Sequence, residues 1–478
     1  MSTVSSKHSR FSKFSLSGRP LIFGTLLLTI TGLITRTIGF FYRIYLSRLF
    51  GEEGMGIYQL IGPVLALSYS ICAASYQTTI SKFVAEYTGD CNRGRFRPLL
   101  TGLMISIPLS IICCILIHTR AEFIAFSLLM EPRTAPMLRI LAFAIPFSSV
   151  HACMNGFFYG IKKTAPPAAA QFLEQLARVG CVYFITGSVL AKGGTPSISI
   201  AVFGLVAGEL VSMLVALTAI YHIIAKAGSQ PALTAKEFTT LKSDRNYTCL
   251  KTPFSRAFSP RSFSCVLAMA LPLTLNRIVL NLLSSVEAVS IPGCLKQYGY
   301  DSATALSVYG VLTGMAMPLI FFPNALTNSV SVLLLPLIAE SYARRDIPAV
   351  KSAIIRTLKF CAILGITCLS VFFLLGDFCG TTLFDSPLAG HFIKTLSFLC
   401  PFLYLDATLS SILQGLGKAG TIFVMNVLAL FIRLSFVFFA IPVFGITGYL
   451  WGMLASQIIL SILYLLCLSR FLKSDTTC

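Results

Sequence analysis

Apolar runs recur along nearly the whole chain, separated by short polar stretches. A helix rises about 1.5 Å per residue and a bilayer core is about 30 Å thick, so one crossing needs about 20 apolar residues. By that measure the pattern predicts twelve spans, approximately 20–46, 55–80, 98–118, 136–160, 166–190, 198–225, 262–292, 303–340, 352–376, 388–415, 419–442 and 444–469. The eighth is too long for one straight crossing. Pro318 and Pro323 fall in its middle, so it reads as one broken, tilted helix rather than two.

An even number of spans puts both termini on one side. On that side the segments carry 25 Lys and Arg, against seven on the other, so the positive-inside bias places both ends in the cytoplasm. The basic N-terminus (1–19) is followed by a long apolar run without a small-residue cleavage site, which reads as an uncleaved first helix rather than a signal peptide. The stretch 227–261, rich in Lys, Arg, Ser and Thr, reads as a cytoplasmic linker between an N-lobe (20–226) and a C-lobe (262–472), with a short tail at 473–478.

The lobes resemble each other. At an offset of 255 residues, 141–184 match 396–439 at 11 of 44 positions, including Phe143/Phe398, Pro146/Pro401, Gly160/Gly415, Lys163/Lys418 and Arg178/Arg433. Ala85-Glu86 echoes Ala339-Glu340, and Gly204 echoes Gly452. Six crossings per repeat insert both copies the same way up. The expectation is an all-α polytopic membrane protein of two parallel six-helix lobes, a transporter plan with its substrate cavity between lobes.

Composition narrows the function. The chain is 55% hydrophobic and 12% charged, half the roughly 25% charged residues of a soluble domain, which excludes an ordinary globular enzyme. A net charge of +19 in so apolar a chain marks cytoplasmic loops rather than a nucleic-acid surface. The 15 cysteines lack Cys-x-x-Cys or Cys/His metal spacing and read as small apolar filler, so no metal or other cofactor is expected. There is no Walker loop, His-Glu-x-x-His, Asp-x-Asp or nucleophile elbow, and the longest external connection is about 17 residues. Transport without catalysis is the expectation.

Ionisable groups inside spans are costly, roughly 2.5–3.5 kcal/mol for a central Arg, so each must face protein or water. Nine occur: Arg36, Arg43, Glu174, Arg178, Glu209, Arg277, Glu287, Asp406 and Arg433. Glu174 and Arg178, four apart on one helix face, are expected to neutralise each other. Glu209 and Glu287 are expected to pair with arginines of other helices. His151 and Asp406 occupy equivalent repeat positions and read as helix-contact groups. Arg36 and Arg43 are seven apart, nearly two turns, and project from one side of a first span without acids. With Arg277, on the equivalent seventh helix, they define the expected substrate-binding set. Guanidinium forks bind oxyanions bidentately and stay charged, which suits the pyrophosphate of a lipid-linked sugar. Glu174, Arg178, Glu209, Glu287, Asp406 and Arg433 are then structural or coupling charges.

Several segments carry a family resemblance. Thr35-Arg36-Thr37-Ile38-Gly39-Phe40 with Arg43, Gly51-Glu52-Glu53-Gly54-Met55-Gly56-Ile57-Tyr58, Ile80-Ser81-Lys82-Phe83-Val84-Ala85-Glu86 and Gln171-Phe172-Leu173-Glu174-Gln175-Leu176-Ala177-Arg178 resemble the stage V sporulation protein B family. So do Ala207-Gly208-Glu209-Leu210 and the run from Tyr309-Gly310 to Leu335-Pro336-Leu337-Ile338-Ala339-Glu340. The resemblance implies the multidrug/oligosaccharidyl-lipid/polysaccharide (MOP) exporter superfamily and a bacterial plasma-membrane flippase. Its implied cargo is an undecaprenyl-pyrophosphate-linked saccharide, such as peptidoglycan precursor for the spore cortex, with wall-synthesis proteins as further partners. The family's first-helix arginines map onto Arg36 and Arg43, and its seventh-helix arginine onto Arg277. Two rival readings stand beside it. A drug/cation antiporter of the same fold would place a carboxylate in the first span, where 20–51 has none. A non-transporting scaffold for wall synthesis would have no need of buried arginines.

Overall fold

The computed structural model describes residues 19–86, 96–228, 260–344 and 346–474, and every regular element among them is helical. The basic N-terminus, most of the expected linker and the end of the tail lie outside the described residues. The first half runs through α1 (Arg19–Leu60), α2 (Gly62–Tyr69), a π-helical turn at Ser70–Ala74, α3 (Ser75–Glu86), α4 (Phe96–Thr119), α5 (Ala135–Leu141), α6 (Ala144–Gly160), α7 (Ala165–Ala191) and α8 (Ser199–Gly228). The second half runs through α9 (Pro260–Tyr298), α10 (Ser302–Gly310), a π-helical turn at Val311–Ala316, α11 (Met317–Phe321), α12 (Asn324–Ala343) and α13 (Ile347–Phe384). It ends with α14 (Pro387–Ser397), α15 (Cys400–Gly415), α16 (Ala419–Phe439) and α17 (Ile446–Ser474).

Among the described residues eight helices are long and apolar enough to cross a membrane, or ten if each of two bent pairs is one span. Two further expected spans have local explanations. Leu26–Glu86 counts as one 61-residue stretch, about three bilayer thicknesses of helix. It is interrupted at Gly51, whose φ of 69° and ψ of −174° are essentially closed to residues with a Cβ. The other is α7, 27 residues long but diluted by Glu174 and Arg178.

The bent pairs are α5–α6, at 44°, and α14–α15, at 56°. They are repeat equivalents, and their cause is visible in sequence. Pro146 and Pro401, an identical pair of the repeat, sit in the first turn of α6 and α15. Neither can donate a backbone hydrogen bond to the preceding helix, so the ladder breaks just before each. Gly204 and Gly452 also play matching roles. A Cβ on Gly204 would collide with Val182 of α7, and one on Gly452 would collide with Phe436 of α16. In each half the sixth crossing therefore approaches the fifth through a glycine, as membrane helices commonly do.

Apolar packing joins the halves in one shared core at one end, while toward the other, where α9 still packs against α3 and α4, each half has a core of its own. One core gathers Tyr42, Leu46, Leu60, Leu138, Leu306, Tyr309, Met315 and Phe392, from both halves, at the end holding the 48–56 and 298–302 connections. Toward the opposite end there are two separate cores. One belongs to the first half, around Ile80, Phe157 and Phe158, and reaches the second only through Ala270. The other belongs to the second half, around Ile338, Leu409, Ile412 and Tyr464. Large apolar side chains such as Phe184, Leu374 and Phe439, each more than 70% exposed, face outward, as a lipid-facing surface requires.

Candidate functional site

A cavity of about 630 Å³ lies between the halves. The first half contributes Arg36, Gly39, Tyr42 and Arg43, then Tyr58 and Gln59, and Gln175 and Arg178 of α7. The second half contributes the broken eighth crossing, with Thr313, Pro318, Asn324 and Asn328 among the lining residues. Among the described residues no Asp or Glu lines it. Arg36 and Arg43 therefore face one space, and neither forms an ion pair among the described residues.

Arg277 is placed differently. Like Arg36 it is exposed, but it is not part of the cavity lining. It lies within electrostatic reach of Tyr69, as do Glu174 and Glu209. One turn further along α9, the Asn281 amide donates to the Ser70 hydroxyl at 2.6 Å. The third guanidinium of the cavity is Arg178, whose Nη2 also donates to Glu174 Oε1 at 2.7 Å.

The remaining charges form two groups, one per half. In the first, His151, Glu174 and Glu209 bring one ligating atom each within 4.8 Å of one another. Glu209 Oε2 lies 3.8 Å from His151 Nδ1, so this acid meets a histidine where an arginine was expected. His151 Nε2 contacts Asn155 Nδ2 at 2.7 Å and Ser212 Oγ at 2.9 Å. A metal ion here would have to compete with the positive charge Arg178 already supplies. In the second group, Glu287 accepts from Arg433 and from the Tyr449 hydroxyl, both at 2.8 Å. Asp406 accepts from Gln457 at 2.5 Å and Ser461 at 2.6 Å. Asp406, Arg433 and Gln457 border a second cavity of about 390 Å³ inside the second half.

The shared end of the halves is closed by polar contacts as well as by packing. Arg48 Nε donates to the Leu383 carbonyl at 3.0 Å, and Ser386 donates to Glu52 at 2.5 Å. Gly56 and Gly310 face each other there, so closely that a Cβ on Gly310 would collide with the Gly56 backbone. At the start of α10, the helix that ends in Gly310, Asp301 is the cap. The Thr304 hydroxyl and the amides of Thr304 and Ala303 donate to it and hold its carboxyl below the usual range.

Sequence reasoning places Arg178 with the structural charges and not in the cavity. Its identity with Arg433 in the repeat signals importance but not location. The His151–Glu209 approach also escapes it, although a signal exists. The spacing of Gly204 and Gly452 relates Glu209 to Gln457, just as the 255-residue offset relates His151 to Asp406. Both pairs meet in the structure.

Residues 21–342 match the family described as "Polysaccharide biosynthesis protein". The chain belongs to that family. It is 27% identical over 452 residues to stage V sporulation protein B of Bacillus subtilis (strain 168), covering 94% of this chain and 83% of that one. It is 23% identical to the lipid II flippase MurJ of the same organism, covering 87% of this chain and 76% of that one. Among solved structures, an inward-facing MATE-family multidrug resistance transporter of the MOP superfamily aligns with a TM-score of 0.67 at 14% identity, covering 93% of this chain and 96% of that one. An inward closed conformation of lipid II flippase MurJ also aligns with a TM-score of 0.67, at 15% identity, covering 93% and 87%. The chain is thus a multi-pass membrane protein with the MOP transporter fold, a flippase or transporter by family.

Proposed function

We propose that this protein moves a lipid-linked pyrophosphoryl saccharide outward across the bacterial plasma membrane, without changing it covalently. The observation that carries the reading is the interlobe cavity, lined among the described residues by Arg36, Arg43 and Arg178 and by no carboxylate. Such a lining attracts an oxyanion and repels the organic cations a drug antiporter carries. The sporulation and lipid II relatives support peptidoglycan precursor as the cargo. The basic bias of the loops supports cytoplasmic termini, which would put the end with the shared core outside and the end with the separate cores inside.

The test is transport of a fluorescent lipid-linked pyrophosphoryl saccharide by the purified protein in liposomes. Arg36→Ala and Arg43→Ala are expected to abolish transport in protein that still inserts and melts normally. Losing one charge-assisted hydrogen-bonding group costs about 1.5–3 kcal/mol, roughly a ten- to hundredfold drop in affinity. Lysine keeps the charge but loses the fork, so it restores function in part. Wild-type transport by the double alanine variant would refute the reading, and a change in substrate mass would make the protein an enzyme.

A further inference from the structure

Arg178 belongs both to the cavity and to the His151–Glu174–Glu209 group. That group has bonding capacity left over. Glu209 Oε2 is buried without a hydrogen-bond donor, and Arg178 Nε is buried without an acceptor. Asn155, only 8% exposed, bonds His151 through its Nδ2 while its Oδ1 has no partner. A half-turn of the Asn155 amide would present Oδ1 to His151 Nε2, an arrangement suited to a protonated ring.

We propose that this group takes up one proton when an oxyanion in the cavity engages Arg178, so that anion binding and proton binding are linked. The proposal rests on the anion reading of the cavity. With the cavity empty, Arg178 neutralises Glu174. An anion that draws on the same guanidinium weakens that neutralisation and leaves two carboxylates facing each other. A proton from the aqueous phase then bonds to His151 Nε2. The resulting imidazolium faces Glu209 through Nδ1, while Nε2–H donates to Asn155 Oδ1 or Ser212. No other bond forms or breaks.

The groups around the site favour a proton over a metal ion. Tyr159 lies on the same helix as His151, Glu174 and Arg178 come from α7, and Glu209 from α8. Tyr69 approaches from α2, within electrostatic reach of Arg277 on α9. A divalent metal ion would bring two positive charges beside Arg178, where a proton brings one. A proton needs only the nitrogen already present.

The experiment is calorimetric titration of the full chain in detergent with undecaprenyl-pyrophosphoryl-N-acetylglucosamine. As a pyrophosphate diester, this probe does not itself titrate near neutral pH. Repeating the titration in buffers of different ionisation enthalpy counts protons. The expected result is uptake of about one proton per anion, with affinity falling about tenfold per pH unit where the linkage operates. His151→Gln is expected to bind with no uptake and a flat pH profile, and the isosteric Glu209→Gln to show reduced uptake. Binding without uptake by the wild-type protein, uptake unchanged in both variants, or dependence on sodium or calcium in place of pH would overturn the linkage and leave the anion reading standing. Absence of binding would overturn both.

Discussion

Arg178 and Arg433 hold the same place in the two halves, yet their surroundings give them different work. Arg433 reaches across to Glu287 on α9, whose side chain is 5% exposed and is also held by Tyr449. Arg178 finds its acid one turn away on its own helix; the two arginines are similarly exposed, 23% and 25%, but Glu174 keeps 17% where Glu287 keeps 5%. The first pair ties two helices of one half together. The second lies within α7, and its arginine lines the space between the halves. The two arginines hold equivalent places, and the position of the acid decides whether the pair ties two helices together or stays within one helix facing the space between the halves.

The largest test of that contrast is Glu287→Gln. It leaves Arg433, 25% exposed and bordering the second cavity, without its counter-charge, and the expected cost is about 3 kcal/mol, the low end of the range for breaking a buried pair from one side. A thermal melt in detergent should show a clear loss of stability. Adding Arg433→Met should recover most of it, since the stranded charge is then gone. A single variant as stable as wild type would remove the tie from the second half.

A smaller effect should be equal in the two halves. Gly204→Ala pushes a methyl into Val182 and close to the Arg178 carbonyl, Gly452→Ala into Phe436, and overpacking of this kind costs about 1–3 kcal/mol. Melts that fall by similar amounts would match the shared geometry of the fifth and sixth crossings. A large loss in one half only would mean that the two copies have diverged in packing as well as in charge.

Much of this architecture is legible in the sequence because it rests on local rules. Apolar length gives the crossings, and Pro146 and Pro401 mark the bends. The i, i+4 spacing of Glu174 and Arg178 gives their pair. What sequence leaves unread depends on how helices rotate against one another. Arg277 groups with Arg36 and Arg43 by its place on an equivalent helix, but it is not among the residues lining the cavity. Arg178 reads only through its local partner, although a guanidinium has donors enough for a carboxylate and an anion together. Glu287 and Arg433, 146 residues apart, can be named as candidates from sequence but not matched.

The smallest expected change in stability carries the most about function. Glu174→Gln keeps the side-chain volume and removes the charge beside Arg178. A pair at i, i+4 with this exposure contributes about 1 kcal/mol or less, so the melt should move little, in contrast to Glu287→Gln. Binding should move the other way. Without its carboxylate, Arg178 has its full charge for an anion, and a gain of about 1 kcal/mol corresponds to roughly fivefold tighter binding of the lipid-linked pyrophosphate. Proton uptake on binding should shrink as well, because one of the two facing carboxylates is gone. Weaker binding in a stable variant would give Glu174 the opposite role, that of holding the Arg178 fork in the orientation the anion needs. The two outcomes separate on a single titration, because charge competition raises affinity and lost orientation lowers it.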